Sequence, residues 1–257
     1  MSEFLCESCG YNLSSSEEDS RCPECGRAVR DSLPESHPGT PWQSDSHAYS
    51  WVRTNWMALF RPGELFRAMS TESMPKGLLI TNVLVASALL VAPFPGVFIG
   101  DWARSARGTG GLGEVLSLLS SFSAWTGVAA SVLLAFTVFD VYGITLLGRV
   151  KGWRLSARTA WIICAHASAG WLVAAILPLL FMAAYYILGT LLKMDFTGPV
   201  TRAAGAPAWS WQTVLGIGLP IAGYLCGLVA FELIALKGAR TCRFANPPGA
   251  RPSPTAA

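Results

Sequence analysis

Four cysteines near the start of this 257-residue chain have the spacing of metal ligands. Cys6 and Cys9 form one C-x-x-C pair, and Cys22 and Cys25 form a second, with twelve residues between the pairs. Two such pairs bring four thiolates to one tetrahedral centre, the coordination of structural zinc. Gly10 and Gly26 each follow the second cysteine of a pair, where a tight knuckle calls for a positive φ that glycine adopts without strain. A module of about 30 residues buries too little apolar surface to fold alone, so the metal, one Zn2+, would be its fold. With Cys6, Cys9, Cys22 and Cys25 all bound, no coordination position is left open for catalysis. A redox dithiol or a disulfide pair is the other use of C-x-x-C, and the repeated glycine knuckle weighs against both.

A second set of residues bears ionisable chemistry in apolar surroundings: Asp140, His166 and Glu232. Ionisable groups within membrane segments are costly, and they mark functional sites by default. Counted from the ends of the expected spans, all three fall in one layer. They would form either a proton-linked or metal-binding cluster or a set of helix-to-helix hydrogen bonds. No spaced pair such as H-E-x-x-H accompanies them, so no catalytic residue is assigned. His37 and His47, outside the spans, read as solvated side chains.

The elements that position these residues follow from charge. The chain is 52% hydrophobic and only 14% charged, against about 25% charged in an average soluble domain. Uncharged runs of 24, 25, 34 and 29 residues lie between Lys76 and Asp101, Glu114 and Asp140, Arg158 and Lys193, and Arg202 and Glu232. A membrane-crossing helix needs about 20 apolar residues. The chain therefore reads as mainly α, a polytopic helical membrane protein with spans at about 78–99, 124–147, 160–188 and 213–236. Leu112–Ser123 reads as a short interfacial helix that would make a fifth element. Ahead of the spans lie the zinc-ribbon β-hairpin module (1–31), a Pro- and Ser-rich flexible linker (32–50) and an amphipathic approach segment (51–77). The membrane domain is taken to 242, and 243–257 reads as a disordered tail.

In the approach segment Val52, Trp56, Leu59 and Phe60 recur at helical spacing beside Arg53 and Arg61. That pattern suits either the lipid headgroup layer or a helix packed against the spans. Gly223-x-x-x-Gly227 in the last span permits close helix approach, within the chain or in an oligomer.

Basic residues orient the spans. Twelve fall in segments 51–77 and 148–159 and in the C-terminal tail, against four in the two opposite loops. Both termini are thus expected in the cytoplasm, at the plasma (inner) membrane if the cell is bacterial. The first 31 residues have a net charge of −4, and nucleic acid, which needs a basic surface, is not an expected partner. The expected partners are the lipid bilayer and a cytoplasmic protein.

Residues 4–30 resemble the rubredoxin-type zinc ribbon. Residues 56–236 resemble the Yip family of multi-pass proteins, named for interaction with Rab-type small GTPases. The carrying residues are Leu59-Phe60-Arg61-Pro62-Gly63-Glu64-Leu65-Phe66 ahead of the first span, and Gly148-Arg149-Val150-Lys151-Gly152 ahead of the small-residue span from Ala160 to Pro178. The resemblance implies a non-enzymatic adaptor or membrane-organising protein that uses its zinc ribbon for protein contacts. The alternative is a small transporter or intramembrane enzyme built on Asp140, His166 and Glu232.

Overall fold

The computed structural model of the chain describes residues 3–92, 112–192 and 211–252. It is mainly helical, and three segments are long and apolar enough to cross a membrane: Leu119–Val150, Ala157–Leu191 and Gly218–Thr241. Eight α-helices are described: α1 (Pro41–Ser44), α2 (Ala48–Phe60), α3 (Pro62–Ala68), α4 (Leu78–Val91), α5 (Leu112–Val150), α6 (Ala157–Ala167), α7 (Ala169–Leu191) and α8 (Trp211–Thr241).

Local chemistry sets their boundaries. Thr40 and Gln43 form a reciprocal capping box at α1, which satisfies amide donors that a helix start leaves open. The His47 ring nitrogen accepts from the Ser50 N–H at the start of α2. Pro62 forces Arg61 out of helical geometry (φ −137°, ψ 49°), so α2 stops and α3 begins with proline at its first position. The Ser156 hydroxyl accepts from the Thr159 N–H and opens α6.

Several boundaries differ from the expected ones. Leu112–Ser123 is not a separate interfacial helix: it continues into the next span as the 39-residue α5, because no proline interrupts it. The span expected at 160–188 is two helices that meet at Ser168, whose hydroxyl donates to the Ala165 carbonyl, a back-bond that bends helices. In the first span, expected at 78–99, α4 runs 14 residues to Val91, about 21 Å at 1.5 Å per residue. The rest of that span lies outside the described residues, as do Arg104, Arg107, Lys193, Arg202 and the glycine-rich run before Leu112.

The flexible linker is also corrected. Residues 32–50 hold turns and two helices, pinned by side-chain bonds. The Gln43 amide donates to the Ser70 and Ser73 carbonyls at 2.8 and 2.6 Å, and the Trp42 indole donates to the Lys76 carbonyl. Proline-rich composition here preorganises turns instead of leaving the segment loose. His37 is likewise not a solvated side chain. Its Nε2 lies 3.0 Å from Glu7 and its Nδ1 2.9 Å from the Arg67 carbonyl.

The chain divides into two compact bodies. The first comprises Met1–Asn82, Leu134–Ala169 and Phe231–Ala257; the second comprises Val83–Leu133 and Gly170–Ala230. In the first body α6 is buried along almost its whole length, from Thr159 to Ala167. Gly238 of α8 lets this packing close: a Cβ there would sit 2.7 Å from both Ile163 and Phe66 side-chain atoms. In the second body Gly227 meets the Ala174 backbone, and Gly223 meets Leu177 and Pro178. The small-residue motif thus serves packing between α7 and α8 within one chain.

Candidate metal centre

The two C-x-x-C segments fold alike. In the first, the Cys6 N–H donates to the Tyr11 carbonyl and the Gly10 N–H to the Cys6 carbonyl, both at 2.8 Å. In the second, the Cys22 N–H donates to Arg27 at 2.8 Å and the Gly26 N–H to Cys22 at 2.9 Å. Gly10 (φ 81°) and Gly26 (φ 73°) take the positive φ that such a knuckle requires. Each knuckle is closed by a single antiparallel bridge, Leu5 with Asn12 and Arg21 with Ala28. The expected β-hairpin module is therefore two separately bridged knuckles, with no strand among the described residues. The twelve residues between the pairs, most of them a polar loop, leave no room for a longer ladder.

The knuckles point four thiols at one another. The Cys6–Cys25 and Cys9–Cys22 sulfurs are each 3.6 Å apart, and all four lie within 4.8 Å of one another. A disulfide would hold sulfurs at about 2.05 Å; tetrahedral thiolates at about 2.3 Å from a metal stand about 3.8 Å apart. The spacing therefore fits a four-coordinate metal ion. Among the described residues no other group of three or more potential ligands is close enough to hold one. The Arg27 backbone N–H lowers the Cys25 thiol to about 7, whereas burial raises Cys6.

Beneath the thiols lies a small core of Phe4, Leu13, Val29, Leu33 and Ala250. Ala250 belongs to the C-terminal segment that reads as a disordered tail, and this is a further correction. Asn246 is 2% exposed; its carboxamide accepts from the Leu5 N–H at 2.9 Å and donates to the Leu5 and Ser32 carbonyls at 2.7 and 2.8 Å. Arg243 donates to the Ser8 carbonyl, Arg154 pairs with Glu3, and Arg251 pairs with Glu35 at 2.6 Å. The Phe244 ring packs on Gly10, where an added Cβ would meet it at 2.8 Å. A second demand thus falls on Gly10, besides its φ. An asparagine followed by two prolines carries no sequence signal for this clasp, which only the return of the tail creates.

The three polar residues of the spans do not assemble. His166 is buried, with Nε2 3.0 Å from the Thr40 hydroxyl and Nδ1 2.8 Å from the Ile162 carbonyl. Both ring nitrogens are committed, one of them to the segment that reads as a linker. Asp140 is half-buried and Glu232 exposed, and their carboxyl groups come within hydrogen-bond reach of each other. The expected cluster reduces to this pair. Cys242 is buried with its thiol 3.8 Å from the Phe66 carbonyl, which withholds it from modification.

No protein-family model matches the chain, and neither does a curated protein or a solved structure.

Proposed function

We propose that this is a non-enzymatic multi-pass membrane adaptor whose N-terminal module, held by one structural Zn2+, presents a cytoplasmic surface to a protein partner. The observation that carries this reading is the thiol quartet: four filled ligand positions build a surface and leave no position for substrate. One side of the module is taken up by the chain's own tail. The module also exposes Glu17, Glu18, Asp19 and Glu24, acidic groups that suit a basic protein surface.

The clasp between tail and module also bears on topology. The direct contact of Asn246 with Leu5 supports a topology in which the two ends of the chain share one side of the membrane and the number of crossings is even. Three long apolar helices alone would separate the ends. Four crossings, with α4 as the start of the first, would reunite them, and the bias of twelve basic residues toward that side favours the cytoplasm. The Yip-like approach segment, Leu59 to Phe66, points the same way, toward a membrane-organising role. The transporter or enzyme reading would have to rest on Asp140 and Glu232 without His166.

The experiment is crosslinking capture from native membranes with three forms of the full chain: wild type, Cys22→Ser/Cys25→Ser, and Glu17→Lys/Glu18→Lys/Asp19→Lys. A partner held by wild type and lost from both variants supports the adaptor reading. The charge variant leaves the metal ligands intact, so loss there cannot be ascribed to an unfolded module. Identical captures from all three would overturn the reading.

A further inference from the structure

The helix α2 is inside out. Its protein-facing side carries Ser50, Thr54, Asn55 and Ala58, all buried. Its outer side carries Tyr49, Val52, Trp56 and Phe60, which are 70, 55, 58 and 62% exposed. These four recur at i, i+3, i+7 and i+11, one stripe along the helix, and the Trp56 and Phe60 rings lie 4.2 Å apart. A helix lying on a water-facing surface turns its apolar stripe inward and its polar side out; this one does the reverse.

The buried side shows where α2 is held. Asn55 and Asn82 exchange amide hydrogen bonds at 2.8 and 3.2 Å, and the Trp51 indole donates to Asn82 at 2.6 Å. Asn82 in turn donates to the Ser168 hydroxyl at 2.8 Å. Ser168 immediately precedes α7, whose 23 apolar residues reach about 34 Å, enough alone to cross a hydrocarbon core of about 30 Å. Ser168 lies within the apolar segment Ala157–Leu191 and Asn82 lies on the apolar α4, so α2 is fastened to the apolar helices. Exposed Arg53 and Arg61 lie along the outer side. Arg61 is paired with Glu64 at 3.6 Å, and Asp45 lies 3.2 Å from His47, which leaves Arg53 as the cation of this side.

We propose that the Tyr49–Val52–Trp56–Phe60 face of α2 lies in the headgroup–acyl boundary of an anionic phospholipid bilayer, with Arg53 on the headgroup phosphates. Tryptophan and other aromatic rings favour that boundary, where an apolar body and a polar edge are both satisfied. A rigid polar anchor on one side and an aromatic face on the other hold the helix parallel to the surface. The inference rests on the membrane reading above, and its test separates the two.

The full chain is placed in nanodiscs of mixed phosphatidylcholine and phosphatidylglycerol, with p-benzoylphenylalanine replacing Trp56, Phe60, Phe139 or Tyr11 in turn. Phe139 is an exposed position on the apolar length of α5, and Tyr11 is exposed on the metal module. Lipid adducts at Trp56 and Phe60 are expected at the level of Phe139 and about tenfold above Tyr11. Phosphatidylglycerol should be enriched over its bulk share by about fivefold, and Arg53→Gln should abolish the enrichment. Adducts at Phe139 with Trp56 at the Tyr11 level would overturn the proposal alone. Crosslinks from Trp56 to a second copy of the chain would overturn it as well. Adducts in the bulk lipid ratio would overturn the assignment of Arg53 to headgroup phosphate. No adduct at Phe139 would overturn the membrane reading and the proposal with it.

Discussion

Asn246 and Leu5, 241 residues apart in sequence, are joined through both ends of one carboxamide, which accepts from the Leu5 N–H and donates to the Leu5 carbonyl. The same amide also donates to Ser32, and the Asn246 carbonyl accepts from the buried Thr71 hydroxyl. A single side chain thereby satisfies three backbone groups of the metal module and ties that module to the tail after α8.

Replacing Asn246 should cost the module more than any exposed substitution around it. Asn246→Ala leaves buried donors and acceptors without partners, a loss of about 2–4 kcal/mol. Asn246→Asp keeps the acceptor for Leu5 but loses both donors, and is expected to be no milder. Protease cleavage within 1–35, followed against temperature in detergent, reads the effect as a lowered midpoint in both variants and an unchanged one in Glu18→Ala.

Metal content tests the four thiols directly. Purified chain should carry about one zinc ion, lost in Cys22→Ser. Exchange with Co2+ should give the absorption of a tetrahedral thiolate site in wild type and not in the variant. Chelation should release the module to protease while the apolar helices stay protected. Zinc-free chain that resists protease as well as the loaded form would show that the metal does not hold the fold.

The His37–Glu7 pair predicts a pH dependence. The hydrogen bond that the His37 ring donates to the Glu7 carboxylate, opposed in part by burial, raises the ring above its ordinary value near 6.5. A raised folded value means that protonation favours the folded form. The contribution is whole below the ordinary value and fades as pH rises through the higher folded one. The docking of Glu7 against residues 37 and 67 should therefore weaken from about pH 6.5 upward. Thiols titrate too, so the measurement is a comparison: wild type minus His37→Gln in the unfolding midpoint, with a difference that shrinks toward alkaline pH. A constant difference would refute the assignment.

How much of this was legible in the sequence depends on the range of the interaction. The thiol quartet and its glycine knuckles follow from spacing over four or five residues, and the structure has them as read. The long apolar helices follow from runs of uncharged residues, which need no partner to be recognised. What was not legible depends on distant partners. Thr40 is an ordinary helix cap until His166 reaches it from 126 residues away, and Asn246 is an ordinary loop residue until Leu5 arrives. Composition described 32–50 and 243–257 as loose because proline and serine are common there. The bonds that order them come from other segments. The triad of Asp140, His166 and Glu232 failed for a related reason, because depth along a helix says nothing about which face a side chain occupies.

Gly227 offers the sharpest packing test. A Cβ at this position would stand 2.2 Å from the Ala174 Cα and backbone nitrogen, and backbone atoms in a helix have no rotamer by which to yield. Gly227→Ala must therefore push α7 and α8 apart, at a cost of about 1–3 kcal/mol. The helical propensity of alanine returns only about 1 kcal/mol. Gly218 lies on the same helix with no atom within 4 Å of its would-be Cβ. Gly218→Ala should accordingly be neutral or stabilising by up to that about 1 kcal/mol of propensity. Unfolding by sodium dodecyl sulfate in mixed micelles, followed by circular dichroism, compares the two. The midpoint should fall for Gly227→Ala and hold or rise for Gly218→Ala. Equal shifts would mean that the glycines act through helix propensity alone and that the contact with Ala174 contributes nothing.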